Sequence, residues 1–289
     1  MMQHNRGLAL SAVLVALTTA CGGGDEESEP REPAGPGLTA NVDPVSTGTW
    51  YRPGASTTWQ WQLTGTVNAS YDVELYDIDL FDNDAETIAD LQSAGHRVFC
   101  YFSAGSSEDW RDDYDRFTAS DQGRQLDEWE GENWLDVTSE NVLEIMLDRL
   151  DLAVEKGCDG VEPDNVDGWT NDTGFTLTAE HQLGYNRRLA NEAHDRGLSV
   201  LLKNDGDQAE DLVDYFDGSL NEECHEYEEC DQLAPFTESG EPILNAEYRD
   251  TEAQASAAMV GLCAKAEAAG TRTLILPWDL DDSFRFACD

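Results

Sequence analysis

Acidic and amide side chains gather at the ends of short hydrophobic runs along this chain. In chain order these polar groups are Tyr76-Asp77-Ile78-Asp79, Glu162-Pro163-Asp164-Asn165-Val166-Asp167, Lys203-Asn204-Asp205, Asn221-Glu222-Glu223, Asn245-Ala246-Glu247-Tyr248 and Pro277-Trp278-Asp279. Carboxyl groups that converge on one cleft can protonate a leaving oxygen, attack a sugar carbon or activate water, which is the chemistry of glycoside hydrolysis. Other chemistries find less support, because the chain has no GxSxG, HExxH, CxxC or GxGxxG motif. We therefore expect a hydrolase that uses no cofactor and no metal.

The hydrophobic runs that carry these groups alternate with amphipathic helical segments. The predicted strands are Thr58–Leu63, Asp72–Asp77, Arg97–Ser103, Gly160–Asp164, Ser199–Lys203, Gly218–Glu222, Pro242–Glu247 and Thr271–Leu276. The predicted helices are Thr87–Ala94, Val142–Lys156, Ala179–Arg196, Ala209–Tyr215 and Gln254–Ala269. Four of these helices end at a glycine, as helices that precede a strand commonly do. Eight alternating strands over this length predict an α/β fold with a single (β/α)8 TIM barrel. An open doubly wound sheet is the alternative, although it would normally show a Gly-rich phosphate loop.

The barrel prediction also states where the site should lie. Functional residues of such barrels sit at the carboxyl ends of the strands, where the loops that follow the strands gather. The polar groups above occupy those ends, so we expect them to meet around one mouth.

The N-terminus has the pattern of an export signal. A short apolar run leads to Leu17-Thr18-Thr19-Ala20-Cys21, which resembles the lipobox of bacterial lipoproteins apart from Thr18. We predict a lipoprotein-type signal peptide over residues 1–21, lipidation at Cys21, a flexible acidic and Pro/Gly linker over 22–45, and the barrel over 46–289. An ordinary signal with a chance cysteine is the alternative. The expected location is the bacterial cell envelope, with the exported chain held at the outer membrane or cell surface only through its lipid.

Six cysteines follow Cys21, and an even number in an exported chain favours disulfides. Cys224 and Cys230 would close a short loop, and Cys263 with Cys288 would fasten the C-terminus. The pair Cys100–Cys158 then follows by exclusion.

Composition excludes a nucleic-acid-binding protein. The 289 residues hold 60 Asp and Glu against 17 Lys and Arg, a formal net charge of −43. Phosphate binding needs a concentrated basic surface, which this chain lacks. Two purposes for the acid remain open, namely adaptation to high salt and attraction of a cationic substrate.

Several motifs in order resemble those of glycoside hydrolase family 114, the endo-α-1,4-polygalactosaminidases with a TIM-barrel fold. They are Trp59-Gln60-Trp61-Gln62-Leu63, Tyr71-Asp72-Val73 with Leu80-Phe81-Asp82, Cys100-Tyr101-Phe102-Ser103-Ala104-Gly105-Ser106 with Glu108-Asp109-Trp110-Arg111, Glu132-Asn133-Trp134-Leu135-Asp136, Gly160-Val161-Glu162-Pro163-Asp164-Asn165-Val166-Asp167, Leu202-Lys203-Asn204-Asp205, and Asn221-Glu222-Glu223-Cys224 with Glu229-Cys230. The resemblance implies cleavage within α-1,4-linked galactosamine polymers, and we expect the chain to be a monomer. It also implies that Asp164 and Glu222 are the catalytic carboxylates. Glu162 and Asp167 compete with Asp164, and Glu247 is the substitute if Glu222 is structural.

Further polar and aromatic residues at the strand ends are candidates for contact with the substrate. Asp77, Asn165, Asp167, Asn204 and Glu247 are expected ligands of sugar hydroxyl or amino groups. Tyr76, Tyr101, Tyr248 and Trp278 are expected to offer apolar faces to sugar rings, with core packing as the alternative for each. Lys203 would either hold a carboxylate in its charged form or only join loops by a salt bridge.

Two further alternatives stay open at this point. Acid runs such as Asp77 to Asp84 lack the EF-hand spacing, so a solvated acidic face is preferred to a calcium loop. The chain is also compatible with a barrel that binds cationic polysaccharide without cleaving it. A sequence contains no distances, so it does not decide between retention and inversion at the sugar carbon.

Overall fold

The computed structural model describes residues 30–33, 35, 37–127 and 129–288. The predicted signal peptide and Cys21 lie outside the described residues, as do residues 22–29 of the predicted linker. No helix in the described part of the chain is both long and apolar enough to cross a membrane.

Strands and helices alternate along the described chain. The strands are β1 (Trp59–Gln62), β2 (Leu75–Asp79), β3 (Arg97–Ser103), β4 (Ser106–Glu108), β5 (Gln122–Gln125), β6 (Glu132–Leu135), β7 (Gly160–Asp164), β8 (Ser199–Val200), β9 (Leu202–Lys203), β10 (Ser219–Glu222), β11 (Ile243–Tyr248), β12 (Thr271–Leu276) and β13 (Phe286–Cys288). The α-helices are α1 (Ala85–Ser93), α2 (Glu140–Lys156), α3 (Ala179–Asp195), α4 (Ala209–Leu212), α5 (Ala234–Ser239) and α6 (Glu252–Ala269). All eight predicted strands and all five predicted helices are present, with α4 shorter than predicted.

The main strands form one continuous parallel arc. One ladder runs β1-β2-β3-β7-β8 and a second runs β9-β10-β11-β12, and the two ladders meet in the fifth strand, which is interrupted at Leu201. This is a TIM-barrel-like α/β fold, as the sequence predicted in outline. The carboxyl ends of these strands therefore lie at one face of the molecule.

The seam between the last and first parallel strands differs from a regular barrel. The short strand β13 pairs antiparallel with β12 on the side where β1 would be expected. Side-chain hydrogen bonds connect this region to β1: the Trp59 indole donates to the carbonyl of Arg272 at 2.8 Å, Gln60 Nε2 donates to Asp282 Oδ1 at 3.0 Å, and Arg285 donates to the carbonyl of Trp59 at 2.7 Å. The disulfide Cys263–Cys288 joins β13 to α6.

Helix boundaries follow local sequence signals. Ser139, Thr178 and Thr251 each accept a hydrogen bond from the first turn of their helix through the side-chain oxygen. Gly157 and Gly270 take the left-handed conformation at the ends of α2 and α6, as the glycine pattern predicted. These caps fix where each helix turns back into a strand.

Side chains of the strands alternate between two hydrophobic layers. On β3, Cys100 and Phe102 pack against the helices, whereas Phe99 faces the interior of the arc with Leu220 and Leu244. Residues two positions further along the same inward faces include Tyr101 and Glu222. The alternation thus places polar side chains at the carboxyl ends of the strands, above an apolar interior.

The described residues between 30 and 45 make contacts that a flexible linker would lack. The amide of Arg31 donates to the carbonyl of Gly174 at 2.8 Å, and the amide of Val45 donates to Asn191 Oδ1 at 2.8 Å. Leu38 and Val42 pack against the main core. This segment is therefore part of the folded domain, because its apolar side chains and backbone groups find partners there.

All three predicted disulfides are confirmed: Cys100–Cys158, Cys224–Cys230 and Cys263–Cys288. A small antiparallel sheet in the order β4-β6-β5 was not predicted. It follows β3 and stands beside the mouth of the arc.

Candidate active site

One buried lysine organises the polar groups at the mouth. Lys203 ends β9, and its Nζ lies 2.9 Å from Glu162 Oε1, 3.1 Å from Asp164 Oδ1 and 3.2 Å from Glu222 Oε2. Burial disfavours the charged amine, but the three carboxylates outweigh burial and hold the pKa of Lys203 well above its ordinary value. Lys203 is therefore a permanent positive charge shared among three acids. This geometry favours the first of the two roles considered for it.

Asp164 lies at the end of β7 and opens onto the cleft. The Tyr101 hydroxyl donates to Asp164 Oδ2 at 3.1 Å, and the amide of Asn165 donates to Oδ1 at 2.7 Å. With Lys203 these donors hold the carboxylate in one orientation. One side chain is thus positioned from three directions.

Glu222 ends β10 and is held in a similar way. Its Oε1 accepts a hydrogen bond from the Tyr248 hydroxyl, and its Oε2 accepts from Asn204 Nδ2 at 3.2 Å. Burial alone would raise the pKa of Glu222, but Lys203 and the donors Tyr248 and Asn204 bring it below the ordinary value. Glu222 is accordingly ionised near neutral pH.

The shared lysine limits the distance between the two carboxyls. Asp164 Oδ1 and Glu222 Oε2 lie 3.1 and 3.2 Å from the same nitrogen, so these oxygens are at most about 6.3 Å apart. Carboxyl pairs of retaining glycosidases are separated by about 5–5.5 Å and those of inverting ones by about 6.5–9.5 Å. This bound concerns one oxygen of each carboxyl, so it places the pair near enough to flank one glycosidic bond and is compatible with either class.

Two more acids lie beneath this pair. Glu162 is fully buried, accepts from the Trp61 indole at 3.2 Å, and has a pKa raised well above its ordinary value, chiefly by burial. Asp77 is also fully buried, and burial raises its pKa to about 7. These acids lie beneath Lys203, and Asp77, an expected sugar ligand, does not line the cleft.

The residue that follows each of the strands β7, β9 and β10 adopts the left-handed backbone conformation. Asn165, Asn204 and Glu223 come directly after Asp164, Lys203 and Glu222, and their φ angles are 60°, 50° and 60°. Non-glycine residues rarely adopt this conformation, and such positions concentrate at functional sites. The chain therefore turns sharply after each functional residue.

A cleft of about 590 Å³ lies above these residues. Eight predicted site residues line it, namely Tyr101, Asp164, Asn165, Asp167, Asn204, Glu222, Tyr248 and Trp278. Both proposed catalytic carboxyls therefore face the same space. Burial raises the pKa of Asp167 to about 6, with Asp164 adding to the effect.

The other predicted contacts lie elsewhere. Tyr76 is buried in the main core, where its hydroxyl donates to the carbonyl of Tyr71 at 2.9 Å, so the core alternative applies to it. Glu247 is fully buried and accepts from the amide of His225 at 3.0 Å, outside the cleft. Its carboxyl therefore does not face the space that Asp164 and Glu222 share. Alternation along a strand predicts the face of a residue and leaves its depth undetermined.

The small sheet contributes cleft residues that sequence reasoning missed. Trp129, Glu132 and Trp134 line the cleft from this sheet and its loop, and Tyr227 lines it from the segment after β10. Trp129 and Trp278 stack with ring centroids 6.2 Å apart, and Trp278 meets Tyr248 edge-on at 4.9 Å. The motif that contains Glu132 and Trp134 was noted in the sequence without a predicted role, and the structure places both residues at the cleft.

One group of side chains has the composition of a metal site. The ligand atoms of Cys224, His225 and Cys230 lie within 4.8 Å of one another. The two sulfurs are joined in a disulfide, which removes the thiolates that zinc would need. The residues present do not fit a metal.

Comparison with known proteins agrees with this geometry. The model of glycoside-hydrolase family GH114 matches residues 39–289. The crystal structure of Ega3 from Aspergillus fumigatus in complex with galactosamine is 45% identical, with a TM-score of 0.78, and the match covers 84% of this chain and 100% of that one. The glycoside hydrolase domain of PelA from Pseudomonas aeruginosa shares the fold at 14% identity and a TM-score of 0.64, over 78% of this chain and 96% of that domain. A search of curated proteins finds no match.

Proposed function

The chain belongs to glycoside-hydrolase family GH114, and on that premise we propose that it cleaves within α-1,4-linked galactosamine polymers, with Asp164 and Glu222 as its catalytic pair. The observation that carries the proposal is the placement of both carboxyls on one lysine at the floor of one cleft. The relation to Ega3, whose structure contains galactosamine, supports the choice of sugar.

The proposed reaction is a double displacement. One carboxylate attacks the anomeric carbon while the other carboxyl protonates the leaving oxygen, and water then hydrolyses the glycosyl-enzyme with the second group acting as base. The observation behind this proposed route is the shared contact with Lys203, which keeps Asp164 Oδ1 and Glu222 Oε2 within about 6.3 Å of each other. Tyr101, Tyr248 and Asn204 hold the two groups in orientation.

The surroundings of the cleft suit a cationic polymer. De-acetylated galactosamine carries an ammonium group near neutral pH, and the chain has a formal net charge of −43. Long-range attraction of this kind raises the rate of encounter. Asn165, Asp167 and Asn204 at the cleft are proposed ligands of the polymer, and Trp278 offers an aromatic face at the rim.

The proposed setting is the bacterial cell envelope. We propose that the chain is exported, lipidated at Cys21 and active there as a monomer, with no membrane contact other than its lipid. A Cys21→Ala variant is expected to leave the membrane fraction, and retention there would contradict the anchor. Gel filtration of the mature domain tests the monomer.

The proposed activity is tested on partly de-acetylated α-1,4-galactosamine polymer. Wild-type protein should release a range of oligomers, and Asp164→Asn and Glu222→Gln should each abolish release. Asp279→Asn, an exposed acid near the end of β12, is the matched control and should remain active. Full activity in either catalytic variant contradicts the assignment. Binding of polymer without any product from the wild type would favour a non-catalytic barrel.

A further inference from the structure

Glu132 is a buried acid of the cleft that the proposed reaction does not use. It begins β6 in the small sheet and is 6% exposed. It lines the same cleft as Asp164 and Glu222. Its position therefore gives it access to a bound sugar.

Its contacts fix the carboxyl without neutralising it. Ser106 Oγ donates to Glu132 Oε2 at 2.8 Å, and Ser106 in turn lies 2.6 Å from Ser103 Oγ, which accepts from Asn165 at 2.9 Å. This chain of hydrogen bonds ties Glu132 to the residue that follows Asp164. In the part of the chain that the structure describes, the bond from Ser106 is the one that the Glu132 side chain receives, so Oε1 is left for another donor.

The neighbouring acid Glu108 has cationic partners that Glu132 lacks among the described residues. Glu108 is paired with Glu132 across the sheet and contacts Arg111 at 2.9 Å and Arg149 at 3.7 Å. Among the described residues, no Lys or Arg forms an ion pair with Glu132. Burial, together with repulsion from Glu108 and Asp164, raises the pKa of Glu132 to about 7. A cationic group of a bound ligand would stabilise the ionised form of this buried carboxyl, which has no ion-pair partner among the described residues.

We propose that Glu132 recognises the ammonium group of a de-acetylated hexosamine unit bound beside the catalytic pair. This inference rests on the proposed function and adds a determinant of substrate choice to it. In an N-acetylated unit the nitrogen is a neutral amide. Such a unit therefore gains no ion-pair stabilisation from the Glu132 carboxylate. Glu132 accordingly selects polymer segments with free amino groups.

The test compares two substrates that differ only in acetylation. The ratio of kcat/KM for de-acetylated to N-acetylated galactosamine oligomers is measured for the wild type, Glu132→Gln and Glu132→Asp. Loss of a charged hydrogen bond should lower this ratio about tenfold or more in Glu132→Gln. Glu132→Asp keeps the charge and should retain much of the preference. Glu130→Gln, an exposed acid two residues away, should match the wild type.

The outcomes separate this inference from the proposed function. An equal loss of kcat/KM on both substrates, or an unchanged ratio in Glu132→Gln, overturns the recognition role while the activity itself stands. Calorimetry of oligomer binding to wild-type and Glu132→Gln protein provides a readout that needs no turnover. Preferential binding of the de-acetylated oligomer that is lost in Glu132→Gln supports the inference, and equal binding of both oligomers to the wild type overturns it.

Discussion

At the scale of single residues, the site depends on one cation among several acids. Lys203 touches Glu162, Asp164 and Glu222 and is itself 1% exposed. Without it, these carboxylates would repel one another in a poorly solvated space. The lysine therefore permits Asp164 and Glu222 to stand close together above the buried Glu162.

Replacement of Lys203 by methionine should damage both activity and stability. Removing one partner of a buried ion pair costs about 3–5 kcal/mol, because the remaining charge is left uncompensated. We expect loss of turnover and a clearly lower thermal midpoint, measured by product release and by calorimetry. Lys265→Met removes a lysine whose Nζ donates at 3.0 Å to the carbonyl of His225, and it should change the midpoint far less. Equal effects of the two variants would contradict the role given to Lys203.

At the scale of elements, the loops after β3 and β7 hold each other in place. The amides of Ala104 and Gly105 donate to the carbonyl of Asp164 at 2.8 and 3.0 Å. A Cβ at Gly105 would lie 1.7 Å from the carbonyl oxygen of Asn165. The close approach of these two loops thus depends on a residue without a side chain.

Gly105→Ala should displace the loop that carries Asp164 and reduce kcat strongly. The clash is with backbone, so it is not relieved by a change of rotamer. Gly54→Ala is the matched control, because no atom lies within 4 Å of a Cβ at that position. Wild-type kcat in Gly105→Ala would show that the contact between the loops is unimportant.

Much of this framework was predictable from sequence. The parallel strands are apolar runs bounded by glycine-capped helices, and this pattern revealed all eight of them. The small sheet was missed because its strands, such as Ser106–Glu108 and Gln122–Gln125, are short and polar. Trp129 and Glu132 of the cleft were missed with it.

The site prediction was limited because a sequence pattern does not give the depth at which a residue lies. Asp164 and Glu222 lie where the strand ends predicted. Asp77 shares the inward face but lies one layer below the cleft, and Glu247 is enclosed beside His225. Period-two alternation states which face a residue occupies, while packing around it decides whether a substrate reaches it.

At the scale of the whole molecule, negative charge greatly exceeds positive charge. The formal net charge is −43, and arginines such as Arg111 and Arg149 already form ion pairs with buried acids. Self-repulsion of this size opposes the compact state. The many acids of the chain therefore set how the fold responds to salt and pH.

Added salt should stabilise the protein. Raising ionic strength from about 0.1 to about 1 M shortens the screening length from about 10 to about 3 Å, which weakens repulsion between surface acids. We expect the thermal midpoint to rise with NaCl. An equal rise in KCl at matched ionic strength would identify screening as the cause. A midpoint that falls with salt would contradict this view of the charge.

Stability should decrease as the pH rises from about 5 to about 8. Burial raises the pKa of Glu132 and Glu241 to about 7 and that of Asp205 to about 8. The folded chain therefore keeps protons that the unfolded chain has released, and the free energy of unfolding falls through this range. Thermal midpoints at constant ionic strength measure the trend.

A single variant isolates one of these groups. Glu241→Gln removes a carboxyl with a raised pKa and should make the dependence on pH shallower, with a gain in stability at pH 8. Glu238→Gln, an exposed substitution on α5, should leave the slope as it is. A slope unchanged by Glu241→Gln would show that this acid does not contribute.

The most direct test of the proposed catalytic pair is the anomeric form of the first product. The proposed double displacement by Asp164 and Glu222 retains configuration at the sugar carbon. Proton NMR during the first minutes of cleavage of an α-1,4-linked galactosamine oligomer should show the α-anomer before mutarotation. Initial release of the β-anomer would contradict the close carboxyl pair on which the proposed reaction is built.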